Sequence, residues 1–107
     1  MPKPMPVPAS SPDSSPAWLD AVFAALADPT RRGLVTRLVR DGPRSATALA
    51  RDLPMSRQAV VHHLQALADA GLVDARRAGR EVQWSAETGP LVDAAAWMLA
   101  TAPSGGR

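Results

Sequence analysis

The 107-residue sequence contains no cysteine. Disulfides, thiolate metal sites and thiol redox chemistry are therefore excluded together. No apolar run approaches the length of about 18 residues that a membrane-crossing helix needs. The amino end carries Lys3 and then prolines, without the apolar stretch of a secretory signal, so the expected location is the cytoplasm. There is no glycine-rich phosphate loop and no pair of carboxylates at catalytic spacing. The only two histidines, His62 and His63, are adjacent. Neither an enzyme nor a cofactor is expected.

What is present fits one small domain. Apolar residues make up 46% of the chain, enough for a core of limited area. The formal net charge is only +2, but it is unevenly distributed. Ten arginines and four aspartates lie between Thr30 and Arg80, giving that stretch +6, while residues 1–29 and 81–107 each carry −2. A basic centre between mildly acidic ends points to a surface that meets a polyanion. Scattered solvated arginines would be the plainer explanation of the same charge.

Residues 1–16 are rich in proline and serine and read as a disordered tail; residues 103–107 read as a flexible end. Between them the expected domain spans 17–102. Ser15-Pro16 offers a helix start, followed by Trp18, Leu19, Val22, Phe23 and Leu26 at helical spacing. Asp28-Pro29 caps a second helix with Leu34, Val35, Leu38 and Val39 on one side, and Gly42-Pro43 ends it. Ser45 opens a short third helix to about Leu53, which Pro54 prevents from continuing. Ser56 caps a fourth helix, Arg57 to about Ala70, closed by Gly71. The period then changes. Leu72–Arg77 and Glu81–Ser85 read as two strands of a hairpin around Ala78-Gly79-Arg80. Gly89-Pro90 opens a last helix from Leu91 to about Ala102. The expected class is mainly α with a β-hairpin wing.

The third helix, a tight turn at Pro54-Met55 and the fourth helix form a helix-turn-helix pattern. On the fourth helix Val60, Leu64 and Leu67 share the inward side, while Gln58, Val61, His62 and Gln65 fall opposite. Gln58 can bond adenine through two contacts, Arg57 can reach guanine O6 and N7, and Val61 can pack on a thymine methyl, with His62 beside them. Ser45, Thr47 and Ser56 stand at helix amino ends, where free N–H groups and hydroxyls suit phosphates. Arg76, Arg77 and Arg80 would lie on the wing. An amphipathic helix with a merely solvated polar face is the competing reading of the fourth helix alone. The basic hairpin that follows it favours double-stranded DNA.

Three stretches carry a resemblance. Ala25-Leu-Ala-Asp-Pro-Thr-Arg-Arg32, Ser56-Arg-Gln-Ala-Val-Val-His-His-Leu64, and Ala70-Gly-Leu-Val73 with Arg76-Arg77-Ala78-Gly79-Arg80-Glu81 resemble the ArsR family of bacterial winged-helix repressors. The likeness covers roughly Trp18 to Leu99. It implies a homodimeric repressor whose first and last helices pair across a two-fold axis and whose fourth helix enters the major groove. Family members that sense metal carry thiolates on the third helix; here those positions fall at Ser45 and Thr47, with Ala50 near a further one. The family's other common zinc site lies on the last helix, where this chain offers only Asp93. The side chains of His62 and His63 diverge by about 100° on a helix and do not pair as ligands. The resemblance is therefore to the metal-independent branch, with no metal site expected and the effector unknown. His63, at the edge of the inward face, is expected to make a structural hydrogen bond.

The last helix is apolar all round apart from Asp93, so most of its sides must be covered. Trp18, Leu19, Val22 and Phe23 of the first helix, with Leu91, Ala95 and Met98 of the last, are the expected homodimer contacts. A two-fold dimer implies an inverted-repeat operator. A winged-helix module that binds a protein partner, without sequence-specific DNA binding, is the alternative function.

Overall fold

The computed structural model describes residues 15–102. The tail expected at 1–16 therefore lies outside the described residues except for Ser15 and Pro16, as does the end at 103–107. The elements run α1 (Ala17–Leu26), α2 (Pro29–Asp41), β1 (Arg44–Ser45), α3 (Ala46–Ala50), α4 (Arg57–Asp69), β2 (Val73–Ala78), β3 (Glu81–Ala86) and α5 (Gly89–Thr101). No helix among these residues is long and apolar enough to cross a membrane.

Local chemistry accounts for most of the boundaries. Asp28 accepts hydrogen bonds from the Thr30 and Arg31 N–H groups at 2.7 and 3.2 Å, capping α2, with Pro29 in the first turn. Ser45 and Ser56 cap α3 and α4 by accepting from the Ala48 and Ala59 N–H groups, each at 3.1 Å. The end of α4 is a Schellman turn: Gly71, at φ +78°, donates to the Ala68 carbonyl, and Leu72 donates to the Leu67 carbonyl. Ser15-Pro16 marks the start of α1, but the Ser15 side chain does not cap it. Its hydroxyl donates to Asp20 Oδ1 at 2.6 Å, and Pro16 occupies the capping position without a side-chain bond.

The carboxyl end of α1 is held by arginines instead. Arg31 donates from Nε to the Ala25 carbonyl at 2.6 Å and from Nη2 to the Ala24 carbonyl at 3.2 Å. Arg32 donates from Nη1 to the Leu26 carbonyl at 2.7 Å. Cations are favourable there because the last carbonyls of a helix lack intrahelical partners and carry its negative pole.

The core gathers under α4. Val60, Leu64 and Leu67 are fully buried, and Leu34 and Leu38 of α2, Leu49 of α3, Leu72 and Trp84 join them. β2 and β3 form an antiparallel hairpin in which Ala78 pairs with Glu81 across Gly79-Arg80. Only Gly79 of that turn has a positive φ, +64°, which fits a type II′ hairpin. β1 adds a third strand on the outer edge of β3, with Arg44 opposite Trp84 and Ser45 opposite Gln83. The sequence reading missed it, because two residues carry no period. α3 also ends earlier than expected, at Ala50, and the chain turns before Pro54.

α5 packs on α1. Ala94 is its one buried residue, and Phe23 meets Trp97 edge to face at 6.0 Å between ring centroids. Leu19 and Val22, expected at a dimer contact, are sealed inside the chain's own core and cannot reach a second copy. The physical reason is that α1 turns its Leu19/Val22 stripe toward its own fold. Trp18, Phe23, Ala95 and Met98 stay exposed and Leu91 half-buried, joined by Val92 and Leu99 at 65% and 78% exposure.

Leu64→Ala should lower unfolding free energy by about 2–5 kcal/mol in urea titration, since a fully buried leucine leaves a cavity. A loss below 1 kcal/mol would mean that α4 is not anchored through this stripe. Burial pushes the Asp28 carboxyl up, but the Arg31 and Thr30 N–H bonds, aided by the nearby His63 and Arg31 charges, outweigh it and hold the group below its ordinary value. A depressed folded value stabilises above the unfolded carboxylate pKa, near 4, and that contribution is lost as pH falls through the folded pKa. Asp28→Asn should therefore flatten the loss of stability on the acid side of pH 4; an unchanged acid limb would contradict the assignment.

Candidate nucleic-acid interface

The buried stripe of α4 decides what its other sides present. With Val60, Leu64 and Leu67 inward, Gln58 and His62 stand on the exposed crest, with Gln65 beside them. Arg57 and Val61 lie on the flank toward the hairpin. Val61, expected outward with the others, is half-buried and packs against the core, so only part of its side chain is available to a base. Asp69 points along the same crest at the far end of α4, where it lies near Ala21 and Ala24 of α1. The face is free of acids over its first two turns and not beyond.

Between α3, α4 and the hairpin runs a cleft of about 310 Å³. Ser45, Thr47, Arg57, Val61 and Gln65 line one side, and Arg77, Arg80, Glu81, Val82 and Trp84 the other. Ser45 and Ser56 accept one backbone N–H each, which leaves their hydroxyl hydrogens free to donate to a phosphate. Thr47 is exposed in the first turn of α3. Arg77 and Arg80 face the cleft, but Arg76 does not line it. Successive residues of a strand point to opposite faces, and Arg76 lies opposite Gln83 while Arg77 lies opposite Val82. Of the three expected wing cations the structure thus brings two to the cleft.

The ten arginines of the basic centre divide into two groups. Arg31, Arg32, Arg37, Arg40 and Arg44 bond to the protein's own carbonyls or carboxylates. Arg51, Arg57, Arg76, Arg77 and Arg80 make no such bond among the described residues, and all five are exposed. The cationic surface is therefore smaller and more local than the charge count implied, and it surrounds the reading helix and the wing.

Gln65 and Glu81, not among the expected contact residues, also line the cleft. Gln65 follows Val61 by one helical turn and was visible on the polar face. Arg51 closes α3 and is exposed outside the cleft lining. Glu81 is the one carboxylate in the cleft, held only by a long 3.5 Å contact from Gln83 Nε2. His63 does not make its expected hydrogen bond: it is half-buried, and its Nδ1 has no partner. Its ring lies 6.2 Å from that of His62 at a steep angle, so the two do not converge on a common point. Among the described residues no three His, Asp or Glu side chains gather as a metal site.

Comparisons agree with this geometry. A helix-turn-helix domain family matches residues 26–76, from the end of α1 into β2. The HTH-type transcriptional regulator Rv2034 of Mycobacterium tuberculosis is 53% identical over 60 residues, 56% of this chain and 55% of that protein. The chain thus spans about half the length of that relative. The transcriptional repressor SdpR of Bacillus subtilis is 33% identical over 81 residues, which cover 76% of this chain and 89% of the repressor. Among solved structures, an ArsR-like transcriptional regulator from Rhodococcus sp. RHA1 superposes with a TM-score of 0.71 at 43% identity, over 78% of both chains. A second crystal structure of an ArsR family transcriptional regulator gives 0.73 at 33% identity, over 81% of this chain and 89% of that one. With the wing, the capped reading helix and these relatives together, the chain belongs to the ArsR family of winged helix-turn-helix transcriptional regulators, and that family is not one of enzymes.

Proposed function

We propose that the protein is a homodimeric, sequence-specific double-stranded DNA-binding repressor that acts in the cytoplasm and does not sense metal through thiolates. The observation that carries this reading is the cleft in which the first turns of α4 and the hairpin tip aim Arg57, Arg77 and Arg80 at one space. Phosphate contacts position a duplex and base contacts specify it. Arg57, Gln58, His62, the free part of Val61 and Gln65 are placed for bases. Ser45, Thr47, Ser56, Arg77 and Arg80 are placed for phosphates, and Arg76 reaches the backbone from the far side of the ribbon. SdpR is named a repressor, which supports the same sign here.

The dimer reading rests on surface left uncovered. Val92, Met98 and Leu99 of α5, with Trp18 and Phe23 of α1, are large apolar side chains exposed on neighbouring helices. A second copy across a two-fold axis covers them and sets two reading helices about one turn of DNA apart, some 34–36 Å. The operator is then an inverted repeat.

Selection of binding sites from random duplex DNA, followed by salt titration of the best site, tests the function. An enriched inverted repeat with a steep salt slope is expected. Binding that is equally weak on every duplex would shift the reading to a protein-interaction module. Arg57→Ala should cost about 1–3 kcal/mol on the selected site and little on random DNA, as the loss of a two-bond guanine contact does. Arg80→Ala should weaken both alike and reduce the salt slope by about one unit. Interchanged patterns would exchange the two roles. Leu99→Glu should convert the dimer to a monomer in sedimentation and weaken operator binding at low protein concentration; an unchanged mass would place the dimer contact elsewhere.

A further inference from the structure

We infer that the ion pair between Arg37 and Asp52 is a positioning device that fixes the turn before the reading helix, and so sets how strongly the protein prefers its operator over other DNA. The inference rests on the DNA-binding reading above and adds residues outside the cleft.

The need for such a device is physical. α3 has five residues, too few to hold a helical geometry by its own hydrogen bonds. Between Ala50 and Ser56 the chain crosses a turn whose one backbone bond among the described residues runs from the Leu53 N–H to the Ala50 carbonyl. This turn sets where the amino end of α4 lies. Arg37, on the neighbouring α2 and only 22% exposed, reaches across to it. Its Nη2 meets Asp52 Oδ2 at 2.8 Å, and its Nη1 stands 3.5 Å from the Leu49 carbonyl near the end of α3. Asp41 anchors the same guanidinium from behind, with Oδ2 3.6 Å from Nε. One planar cation thus ties α2, α3 and the turn together, a task suited to the fixed fork of arginine.

Asp52 is the informative partner. It lies in sequence between Arg51 and Arg57, both exposed and without a bonded partner among the described residues. A carboxylate there weakens attraction to every duplex. As a plain surface charge, its removal improves binding to all DNA alike. As the far end of a clip, its removal loosens the turn, and the loss falls on the operator, because base contacts depend on placement more than phosphate contacts do. The two accounts predict opposite signs for the same substitution.

The experiment uses the full chain as wild type, Asp52→Ala and Asp52→Glu. Hydrogen exchange at the Leu53 and Val60 amides is read on the free protein, and dissociation constants are read on the selected site and on a random duplex. For Asp52→Ala the expected results are exchange about fivefold faster and an operator-to-random preference about fivefold smaller, in scale with a partly exposed ion pair, while random-duplex binding holds or tightens. Asp52→Glu, which keeps the charge and can still reach Arg37, should restore both. Unchanged exchange, or tighter binding to both duplexes with the preference intact, overturns the inference and leaves Asp52 a surface charge. A wild-type chain with no operator preference overturns the DNA reading instead, and the exchange measurement still decides whether the clip exists.

Discussion

Burial of the Val60, Leu64 and Leu67 stripe is the constraint on which the rest of the structure depends. A helix has one rotation about its axis, and fixing three inward residues over two turns fixes all the others. Once that stripe seats on Leu34, Leu38, Leu49 and Leu72, Gln58 and His62 must face solvent and Arg57 must face the hairpin. The Ser56 cap and the Schellman turn at Gly71 define the two ends of the helix, so its position along the axis is set as well. The orientation of the exposed face is thus an outcome of core packing, and Gln58, His62 and Gln65 on its crest need not hold the helix in place.

Charge in this protein has two separate uses, and sequence alone did not divide them. An arginine in a chain of this composition counts toward net charge wherever it sits. What it does depends on which carbonyls and carboxylates lie within reach. Arg31 and Arg32 follow the Asp28-Pro29 corner directly, so α2 sets off beside the end of α1 and both guanidiniums find the carbonyls of residues 24–26. Arg77 and Arg80 lie on a two-stranded ribbon with no such carbonyls in reach, and they remain open to solvent. The motif that makes the chain recognisable at the start of α2 is therefore a clasp on the end of α1, and the arginines free of such bonds begin later in the chain, at Arg51.

The sequence made legible whatever follows from period and capping. Asp28, Ser45, Ser56 and Gly71 marked their boundaries because one side chain, or the lack of one, satisfies a helix end locally. The inward stripe of α4 followed from spacing alone. What stayed hidden depends on contacts between distant residues. β1 is defined only by its pairing with β3, and the end of α3 by the turn that Arg37 holds from α2. Val61 read as outward on a helical wheel but is half-covered, because the hairpin comes up beside it. Leu19 and Val22 read as interface residues because an apolar helix near the start of a small domain has two candidate partners, and only the fold shows that the chain itself is one of them.

α5 shows the other side of that ambiguity. It gives one small residue, Ala94, to the core and one aromatic, Trp97, to a contact with Phe23, yet it carries Val92, Met98 and Leu99 in solvent. Small domains bury a lower fraction of their apolar surface than large ones, and scattered exposed leucines need no explanation. These are not scattered. They lie within two turns of one helix whose only charged residue is Asp93, beside Trp18 and Phe23 on α1. A helix of this composition packed on one flank alone leaves a continuous apolar strip, which favours association. Because α1 is tied to α2 through Arg31 and Arg32, and α2 to α3 and the turn through Arg37, a second copy that covered this strip, as proposed, would also constrain the spacing of the two fourth helices. On the proposed dimer, assembly and base reading would be linked in this way through three arginines that touch neither the strip nor the cleft.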